Sequence, residues 1–466
     1  MFSSPYLRKT ISLAWPLALN AMLMQSMLMI DTLLVSPLGE VPLAAMAIAS
    51  TIVLFILGIQ LALASGSQLV ISRAVGSGLE TSISKAFCSG MMINFLAALF
   101  FWVLLSLFDQ QIITALTDDL HLHQQINEYL GIARYLVFFT AFTQVMIALF
   151  NGLGKTKIPF KGYLIELPIN IFCSYYLING FSDFQGMGAE GAAVGSLIGI
   201  SIRLGFLALI LYLSKQVSFQ FLFLSSSSSW SFISLLISLW QQLIGNIKLH
   251  FIEIFPIAAN VTMLAIGITI YQLLYSQLSL HHYVAISLVL PWIQAGGQFI
   301  AAWSHSSAIM VSQAIGAKQL RDLQKNIILS VNVAIVLSIL CAIGFVFLSV
   351  FIDDIYTQLD DSTYQALNVI APLYILLIFV RGYNTVHGNV LRALGKTSAV
   401  FKINFMGQWL ISLPTLAVMI LYFDVSLFWA FAIQPFEEII KMLPFRLLAK
   451  KSMLELDEEK ISKLMY

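Results

Sequence analysis

Residues 44–72 read AAMAIASTIVLFILGIQLALASGSQLVIS, a stretch without a charged side chain. A helix that spans a bilayer needs about 20 mainly apolar residues, and this stretch is longer. Inside hydrocarbon every backbone N–H and C=O must be hydrogen-bonded within the protein, so only helices and closed barrels cross a membrane. Barrel strands are shorter and alternate between polar and apolar residues. Residues 44–72 are therefore predicted to form a transmembrane helix.

Comparable apolar stretches recur along the whole chain. Of its 466 residues, 59% are hydrophobic and 10% are charged, whereas soluble domains carry about 25% charged residues. The predicted fold class is an all-α integral membrane protein with twelve transmembrane helices. The predicted spans lie near residues 11–35, 44–72, 87–108, 126–150, 159–180, 190–213, 249–275, 282–312, 327–351, 365–391, 399–422 and 426–447. A soluble enzyme is excluded, and a net charge of +1 without a dense basic cluster argues against nucleic-acid binding.

The connections between the predicted spans separate basic from acidic residues. If the N-terminus is cytoplasmic, the connections on that side carry the basic residues, among them Arg73, Lys155, Lys248, Lys318 and Lys396. The connections on the opposite side carry acidic residues, among them Glu40, Asp109, Asp183, Asp353 and Asp424. Cytoplasmic loops of membrane proteins are enriched in Lys and Arg. We therefore expect a multi-pass protein of the cell inner (plasma) membrane with both termini in the cytoplasm.

The two halves of the sequence repeat each other at an offset of 240 or 241 positions. The superposed pairs are Pro16 and Pro256, Ser72 and Ser312, and Leu153 and Leu394. Each half contains six predicted spans, and an even number returns the chain to the same side of the membrane. The halves are therefore predicted to be six-helix lobes related by a pseudo-two-fold axis along the membrane normal.

This repeat gives a predicted division into three parts. They are an N-terminal lobe at residues 1–214, a cytoplasmic linker loop at 215–248 and a C-terminal lobe at 249–466. Within the linker, the serine run 225–229 is expected to be flexible, and residues 230–243 form either an interfacial amphipathic helix or loop. Two equal lobes suggest alternating access around a central cavity. The sequence contains no GxxxxGK[ST] phosphate loop, so coupling to an ion gradient is expected.

Several motifs occur in a characteristic order along the predicted spans. They are Pro16 with Asp31-Thr32 in the first span, 169–172 and Asn179-Gly180 in the fifth, 191–193 in the sixth, the Gly-Lys-Thr turns at 154–156 and 395–397, and Trp409 with Pro414 in the eleventh. Together they resemble the multidrug and toxic compound extrusion (MATE) family, bacterial type, across essentially the whole chain. The resemblance implies a secondary antiporter that exports amphipathic, often cationic compounds in exchange for H⁺ or Na⁺. It further implies small drug-like substrates, a monomer in the bilayer and no cofactor.

The resemblance also implies a cation-coupling site made of Asp31, Asn170, Ser174 and Ser196. An ionisable group inside a membrane is functional by default, and burial disfavours a carboxylate whereas hydrogen-bond donors favour it. We therefore hypothesise that Asp31 takes up and releases a proton. The alternative for Asp31 is a solvated or capping residue at the outer interface. For Asn170 and Ser174, which share a helix face, it is interhelical hydrogen bonding, and for Ser196 a bond to its own helix backbone.

The sequence departs from the family pattern at the positions of second acidic residues. Bacterial members often have an Asp where this chain has Ser174. Another branch has an acid where this chain has Leu264, and an acid near Arg381. We therefore expect no compensating anionic ligand for Na⁺ in the C-terminal lobe, which favours H⁺ as the coupling ion. Glu437 and Glu438 lie near Lys441 and are interpreted as a helix ion pair rather than as chemistry.

Four further residues are candidates for the substrate cavity: Arg381, His387, His305 and Arg203. Arginine within a span should line water or find partners, unless it lies at an interface. The histidines and the three cysteines have no metal-ligand spacing, so no metal site is predicted. Pro16 interrupts helical hydrogen bonding and could let the first span bend near Asp31, although a static packing kink is the alternative.

Two other functions remain open from the sequence. The first is a flippase for lipid-linked oligosaccharides, in which Arg381, Arg203 and Arg134 would bind phosphate. The second is a membrane-embedded enzyme that uses His305 or His387. The sequence shows no HExxH motif and no Ser/His/Asp arrangement, so the protein is predicted not to be an enzyme.

Overall fold

The computed structural model describes residues 4–116, 119–181, 184–214, 232–319, 322–356 and 359–455. The first half of the described chain is helical apart from a 3₁₀ turn and two short strands. Its elements are α1 (Pro5–Val35), the 3₁₀ turn Ser36–Leu38, α2 (Glu40–Ser77), α3 (Glu80–Leu116), α4 (Leu120–Ala133), α5 (Leu136–Gly152), α6 (Lys157–Asn179), β1 (Gly180–Phe181), β2 (Phe184–Gln185) and α7 (Ala189–Ser214). The two strands follow α6 and pair antiparallel, Gly180 with Gln185 and Phe181 with Phe184.

The second half is helical throughout its described residues, with one π-helical segment. Its elements are α8 (Phe232–Tyr275), α9 (Leu280–Gly316), α10 (Leu323–Val350), α11 (Ile352–Ile355), α12 (Asp361–Ala393), α13 (Thr397–Phe405), the π-helical segment Met406–Ser412, α14 (Leu413–Phe423) and α15 (Leu427–Leu454). The predicted all-α membrane fold is confirmed.

Each predicted span corresponds to helical structure in the described residues. The fourth span consists of α4 and α5, and the eleventh consists of α13, the π-helical segment and α14. By length and composition, ten helical segments of the described chain could cross a membrane. The helices α6 and α15 are not among the ten, and both carry charged residues within their apolar sequence, such as Glu166 and Lys441. Those charges are paired inside the protein, which is how a charged helix is accommodated in a bilayer.

The chain forms two compact units whose boundaries fall inside α1 and α8. The N-terminal unit contains Leu19–Ala258, and the C-terminal unit contains Met1–Ala18 together with Ala259–Leu464. The two division points are 240 residues apart, which is the offset of the sequence repeat. Side-chain contacts explain why the start of α1 belongs to the C-terminal unit and the part of α8 before Ala259 belongs to the N-terminal unit. In the C-terminal unit the Tyr6 hydroxyl lies 2.7 Å from Ser330 Oγ, and in the N-terminal unit Arg73 forms an ion pair with Glu253.

The predicted linker at 215–248 is only partly visible. Residues 215–231, including the serine run and the first two residues of the predicted amphipathic helix, lie outside the described residues. From Phe232 the backbone is helical and continues without a break into the seventh span. No proline or paired glycine interrupts the sequence between Phe232 and Pro256, so nothing stops the helix there. An interfacial role for this segment stays a prediction.

Each unit has its own apolar core. In the N-terminal unit, fully buried Val35, Ala45, Ile126 and Ala192 bring α1, α2, α4 and α7 together. In the C-terminal unit the corresponding residues are Tyr275, Val289, Leu377, Leu416 and Phe431, which join α8, α9, α12, α14 and α15. Because lipid tails are as apolar as these side chains, the cores act through close van der Waals packing and hold the polar groups between the helices in place.

Candidate functional site

A hydrogen-bonded chain of three side chains joins α1, α7 and α6 in the N-terminal unit. The Ser196 hydroxyl donates to Asp31 Oδ2 over 2.9 Å. Asn170 Nδ2 donates to the oxygen of the same hydroxyl over 3.0 Å. Because Asn170 occupies a lone pair of Ser196, the hydroxyl hydrogen is directed toward Asp31. Ser196 is therefore the direct partner of Asp31, and Asn170 acts on Asp31 only through Ser196.

The two oxygens of Asp31 have different surroundings. Oδ2 accepts the bond from Ser196, whereas Oδ1 is buried and has no hydrogen-bond partner among the described residues. A donor favours the carboxylate, and a buried oxygen without a partner favours the protonated acid. Asp31 thus combines the two opposing influences that a carboxyl group needs to change its protonation state. The carboxyl group does not cap a helix end, because it lies four residues before the end of α1.

Ser174 lies beside this chain without joining it. Its side chain is fully buried, and its hydroxyl has no partner within the described residues. It packs directly against the backbone of Gly195. Of the four residues that the family resemblance implies for this site, the structure brings Asp31, Ser196 and Asn170 into one hydrogen-bonded chain. Ser174 lies instead in the contact between α6 and α7.

Glycines of α7 bring α6 close enough for these contacts. Gly191, Gly195 and Gly199 follow one another at intervals of four residues and share one helix face. A Cβ atom at Gly199 would lie 3.2 Å from Asn170 Cβ, and one at Gly195 would lie 2.7 Å from the backbone nitrogen of Ser174. Small residues at such spacing let two membrane helices approach closely. The sequence analysis used only the first of these glycines, although the GxxxGxxxG spacing is readable in it.

One turn below Asn170, α6 carries a buried charge that is paired across the same helix contact. Glu166 Oε2 lies 2.7 Å from Arg203 Nη1, and both side chains are at most 5% exposed. The Arg203 guanidinium also lies over the ring of Tyr163, 4.1 Å from its centroid. Arg203, a predicted cavity residue, is therefore neutralised by Glu166 inside the N-terminal unit. The sequence placed both residues within spans but could not pair them.

We expect Glu166→Gln to destabilise the protein strongly. The substitution leaves the Arg203 charge buried without its carboxylate, and removal of one partner of a buried ion pair typically costs about 3–5 kcal/mol. Thermal unfolding in detergent measures the effect. The matched control is Asp322→Asn, which breaks the exposed pair of Asp322 with Lys325 and should change stability by about 0–1 kcal/mol. Equal melting temperatures for the two variants would contradict a structural role for the buried pair.

The C-terminal unit contains a cavity of about 420 Å³. Arg381, one of the predicted cavity residues, lines this cavity, and a role in substrate binding stays a prediction. The other candidates lie elsewhere. The His387 ring donates from Nδ1 to the Tyr383 carbonyl and stacks near the Tyr383 ring, and neither His387 nor His305 belongs to the residues that line the cavity. Pro16 lies inside the continuous helix α1, two residues before the division between the units.

Two carboxylates of α15 line the same cavity, and the sequence analysis assigned them no role beyond a helix ion pair. Lys441 Nζ donates to Glu437 Oε1 over 2.8 Å and to Glu438 Oε1 over 3.1 Å, so the predicted pair is present. Both acids are buried at the cavity and are bound by Lys441, so the expectation that Na⁺ would find no compensating anionic ligand in the C-terminal lobe stays a prediction. The two acids come from the twelfth span, whereas Leu264, at one of the family's acidic positions, forms part of the apolar wall.

Within the described residues, no cluster of three or more His, Cys, Asp or Glu side chains is arranged to hold a metal ion.

Comparisons with known proteins agree with this architecture. The family model MatE matches residues 16–176 and 256–438, one segment in each half of the chain. The probable multidrug resistance protein NorM of Bacillus subtilis (strain 168) is 30% identical over 87 residues, and the alignment covers 19% of each chain. The chain thus matches about a fifth of the length of this curated relative.

Solved structures resemble the chain over nearly its whole length. The Vibrio cholerae MATE transporter VcmN in its bent form has a TM-score of 0.83 at 17% identity, with 98% of each chain covered. The eukaryotic MATE transporter AtDTX14 has a TM-score of 0.79 at 17% identity, covering 99% of this chain and 98% of its own. At such identities the structures show a shared fold. Because the family model covers most of the sequence in two matching segments, the chain belongs to the MatE family, whose members are transporters and not enzymes.

Proposed function

We propose that the protein is a secondary active multidrug efflux antiporter that exports amphipathic, often cationic compounds in exchange for H⁺ by alternating access. Na⁺ is the alternative coupling ion. The proposal places a monomer in the cell inner membrane with both termini in the cytoplasm. The observation that supports it is the unequal surroundings of the Asp31 carboxyl group. Its Oδ2 accepts a hydrogen bond from Ser196, whereas its Oδ1 is buried without a hydrogen-bond partner among the described residues.

Coupling requires that the proton and the substrate prefer different states of the transporter, since a ligand with equal affinity for both states shifts nothing. In the proposed cycle the outward-facing protein takes up a proton at Asp31. Protonation removes the negative charge toward which the Ser196 hydroxyl points, so the contacts between α1, α6 and α7 rearrange. The substrate then loses contacts and leaves outward. The carboxyl group gives up its proton after the cavity opens to the cytoplasm.

The available driving force is sufficient for this exchange. Each pH unit supplies about 1.4 kcal/mol per proton, and each net charge that crosses the membrane gains or loses about 2.3 kcal/mol per 100 mV. One proton per cycle therefore supports about a tenfold substrate gradient for each pH unit. No soluble motor domain is required for such a gradient.

Inverted membrane vesicles that contain the protein should accumulate a cationic dye such as rhodamine 6G when the vesicle interior is made more acidic than the outside. A sodium gradient at equal pH should have no effect if H⁺ is the coupling ion. Dye fluorescence measures both cases, and vesicles without the protein are the control. Dye accumulation with a sodium gradient alone would overturn proton coupling, and no accumulation with either gradient for several cationic dyes would overturn the antiport proposal.

The flippase alternative relies on arginines that are free to bind phosphate. In the N-terminal unit Arg203 is paired with Glu166. Arg134 donates to the Gly131 carbonyl and to Ser106 Oγ at the junction of α4 and α5. Two of the three arginines are therefore engaged, which favours drug export over lipid flipping.

A further inference from the structure

The contact between α6 and α7 extends past the hydrogen-bonded chain as a regular ladder of buried residues. Every fourth residue of one face of α6 belongs to it: Gly162, Glu166, Asn170 and Ser174. Every fourth residue of one face of α7 belongs to it as well: Gly191, Gly195, Gly199 and Arg203. Residues at this spacing lie on a single helix face. The polar side chains of α6 therefore form one line inside the helix contact.

Contacts with the glycines fix the order of the charged groups along this line. A Cβ atom at Gly199 would lie 3.2 Å from Asn170 Cβ and 3.3 Å from Glu166 Cγ, so one glycine of α7 adjoins both residues. Arg203 lies one turn further along α7, and a Cβ atom at Gly162 would lie 3.2 Å from its Cγ. The carboxylate therefore lies between the hydrogen-bonded chain and the guanidinium.

The ion pair of Glu166 with Arg203 consequently has an orientation relative to the site. Its negative end lies one turn from Asn170, and its positive end lies over the ring of Tyr163, away from the chain. The Coulomb energy falls with distance, so the nearer charge of a neutral pair dominates. Because the pair is buried, solvent ions screen it weakly. The Glu166 carboxylate accordingly acts on Asp31 electrostatically.

The helices packed against α1 place other titratable groups around Asp31. Tyr129 of α4 interacts with it electrostatically. The Tyr129 hydroxyl accepts a hydrogen bond from Ser50 of α2, and a phenol stays neutral at physiological pH. Glu128 of α4 and Glu190 at the start of α7 are acidic, and they act on each other. Among the described residues, the carboxylate of the buried ion pair is therefore the charge that acts on Asp31.

We propose that the oriented ion pair of Glu166 with Arg203 sets the pH range in which Asp31 exchanges its proton. A negative charge nearby disfavours a carboxylate and favours the protonated acid. Stability alone does not require an ion pair here, since apolar residues of similar volume often replace a buried pair without loss. Glu166 is thus a positioning residue that acts through Asp31, and this role rests on the proposed proton antiport.

A double substitution separates the charges of the pair from its packing. Glu166→Gln with Arg203→Met removes both charges and leaves no ion buried alone, so it should destabilise the protein less than Glu166→Gln does. Infrared difference spectra of the purified full-length protein follow the carbonyl band of protonated Asp31 against pH. Loss of this band in Asp31→Asn assigns it in each background. In the double variant the titration midpoint should move about one pH unit toward acid, as expected when a nearby negative charge is removed.

A second double variant and two controls accompany this measurement. Glu166→Leu with Arg203→Met makes both positions apolar, carries the same expectation and replaces the first variant if that one does not fold. Arg203→Lys retains both charges and should keep the wild-type midpoint. Asp322→Asn with Lys325→Gln removes an exposed ion pair and should not move the midpoint, because exposed charges are screened. A midpoint that is unchanged without the buried pair, or that moves equally without the exposed pair, would overturn the inference.

Dye efflux in proteoliposomes distinguishes this inference from the proposed function. If both hold, the pH dependence of efflux should move toward acid pH together with the infrared band. A band that moves although the wild-type protein shows no proton-driven efflux would support the inference and contradict antiport. An Asp31 band that does not titrate in the wild-type protein would contradict both. Normal proton-driven efflux with the same pH dependence in the double variant would contradict the inference alone.

Discussion

Replacing Asp31 by Asn is expected to abolish proton-driven efflux. Asparagine has nearly the same shape and can still accept the hydrogen bond from Ser196, but it cannot take up a proton. The substrate gradient of about tenfold per pH unit should therefore vanish in proteoliposomes with an imposed pH gradient. Efflux of a cationic dye measures the effect.

Two control variants separate coupling from folding. Asp31→Glu keeps a titratable group and should retain part of the activity. Glu40→Gln neutralises an exposed acid at the start of α2 and should leave efflux unchanged. Melting temperatures close to that of the wild-type protein are expected for both. Full proton-coupled efflux by the Asp31→Asn variant would remove Asp31 from the mechanism.

Replacing Gly195 by Ala should disrupt the contact of α6 with α7 and the site that depends on it. The new Cβ atom would lie 2.7 Å from the backbone nitrogen of Ser174 and 2.8 Å from its Cα. Backbone atoms cannot move aside as a side-chain end can, so the helices must separate. Overpacking of a tight contact costs about 1–3 kcal/mol. Thermal unfolding should show the loss of stability, and efflux should fall because Ser196 adjoins Gly195.

The same helix offers a matched control. A Cβ atom at Gly205 would meet nothing within 4 Å, so Gly205→Ala should be neutral or slightly stabilising, given the higher helix propensity of alanine. If Gly195→Ala and Gly205→Ala had the same melting temperature and the same efflux rate, the close approach at Gly195 would not be needed for the site.

The helical spans were predictable because hydrocarbon leaves the backbone no alternative. Residues 44–72, for example, lie within α2. The charged helices α6 and α15 were also placed correctly, but the partners of their charges were not. Glu166 and Arg203 are 37 positions apart in sequence, and nothing in the hydropathy pattern specifies that their side chains point at each other.

For the candidate site, the sequence indicated the acidic residue but not its direct hydrogen-bond partner. Asp31 stands out in sequence because an acid in an apolar stretch is rare and expensive. Its direct partner was not clear, since Asn170 is the stronger hydrogen-bonding residue by type, and the structure places Ser196 in between. This arrangement depends on the close contact of α6 with α7, which the glycines on the contact face of α7 permit.

The sequence by itself determined that the chain crosses the bilayer as helices, that its halves repeat, and that Asp31 is the conspicuous acid of the first span. These properties depend on the residue composition of continuous segments, because each segment's own hydrophobicity decides whether it forms a transmembrane helix. Only the tertiary structure decided which polar groups meet: Ser196 with Asp31, Arg203 with Glu166, and the acids of α15 with Lys441. Such pairing depends on how closely and at what rotation the helices pack, and small residues on a contact face, such as the glycines of α7, allow the close approach.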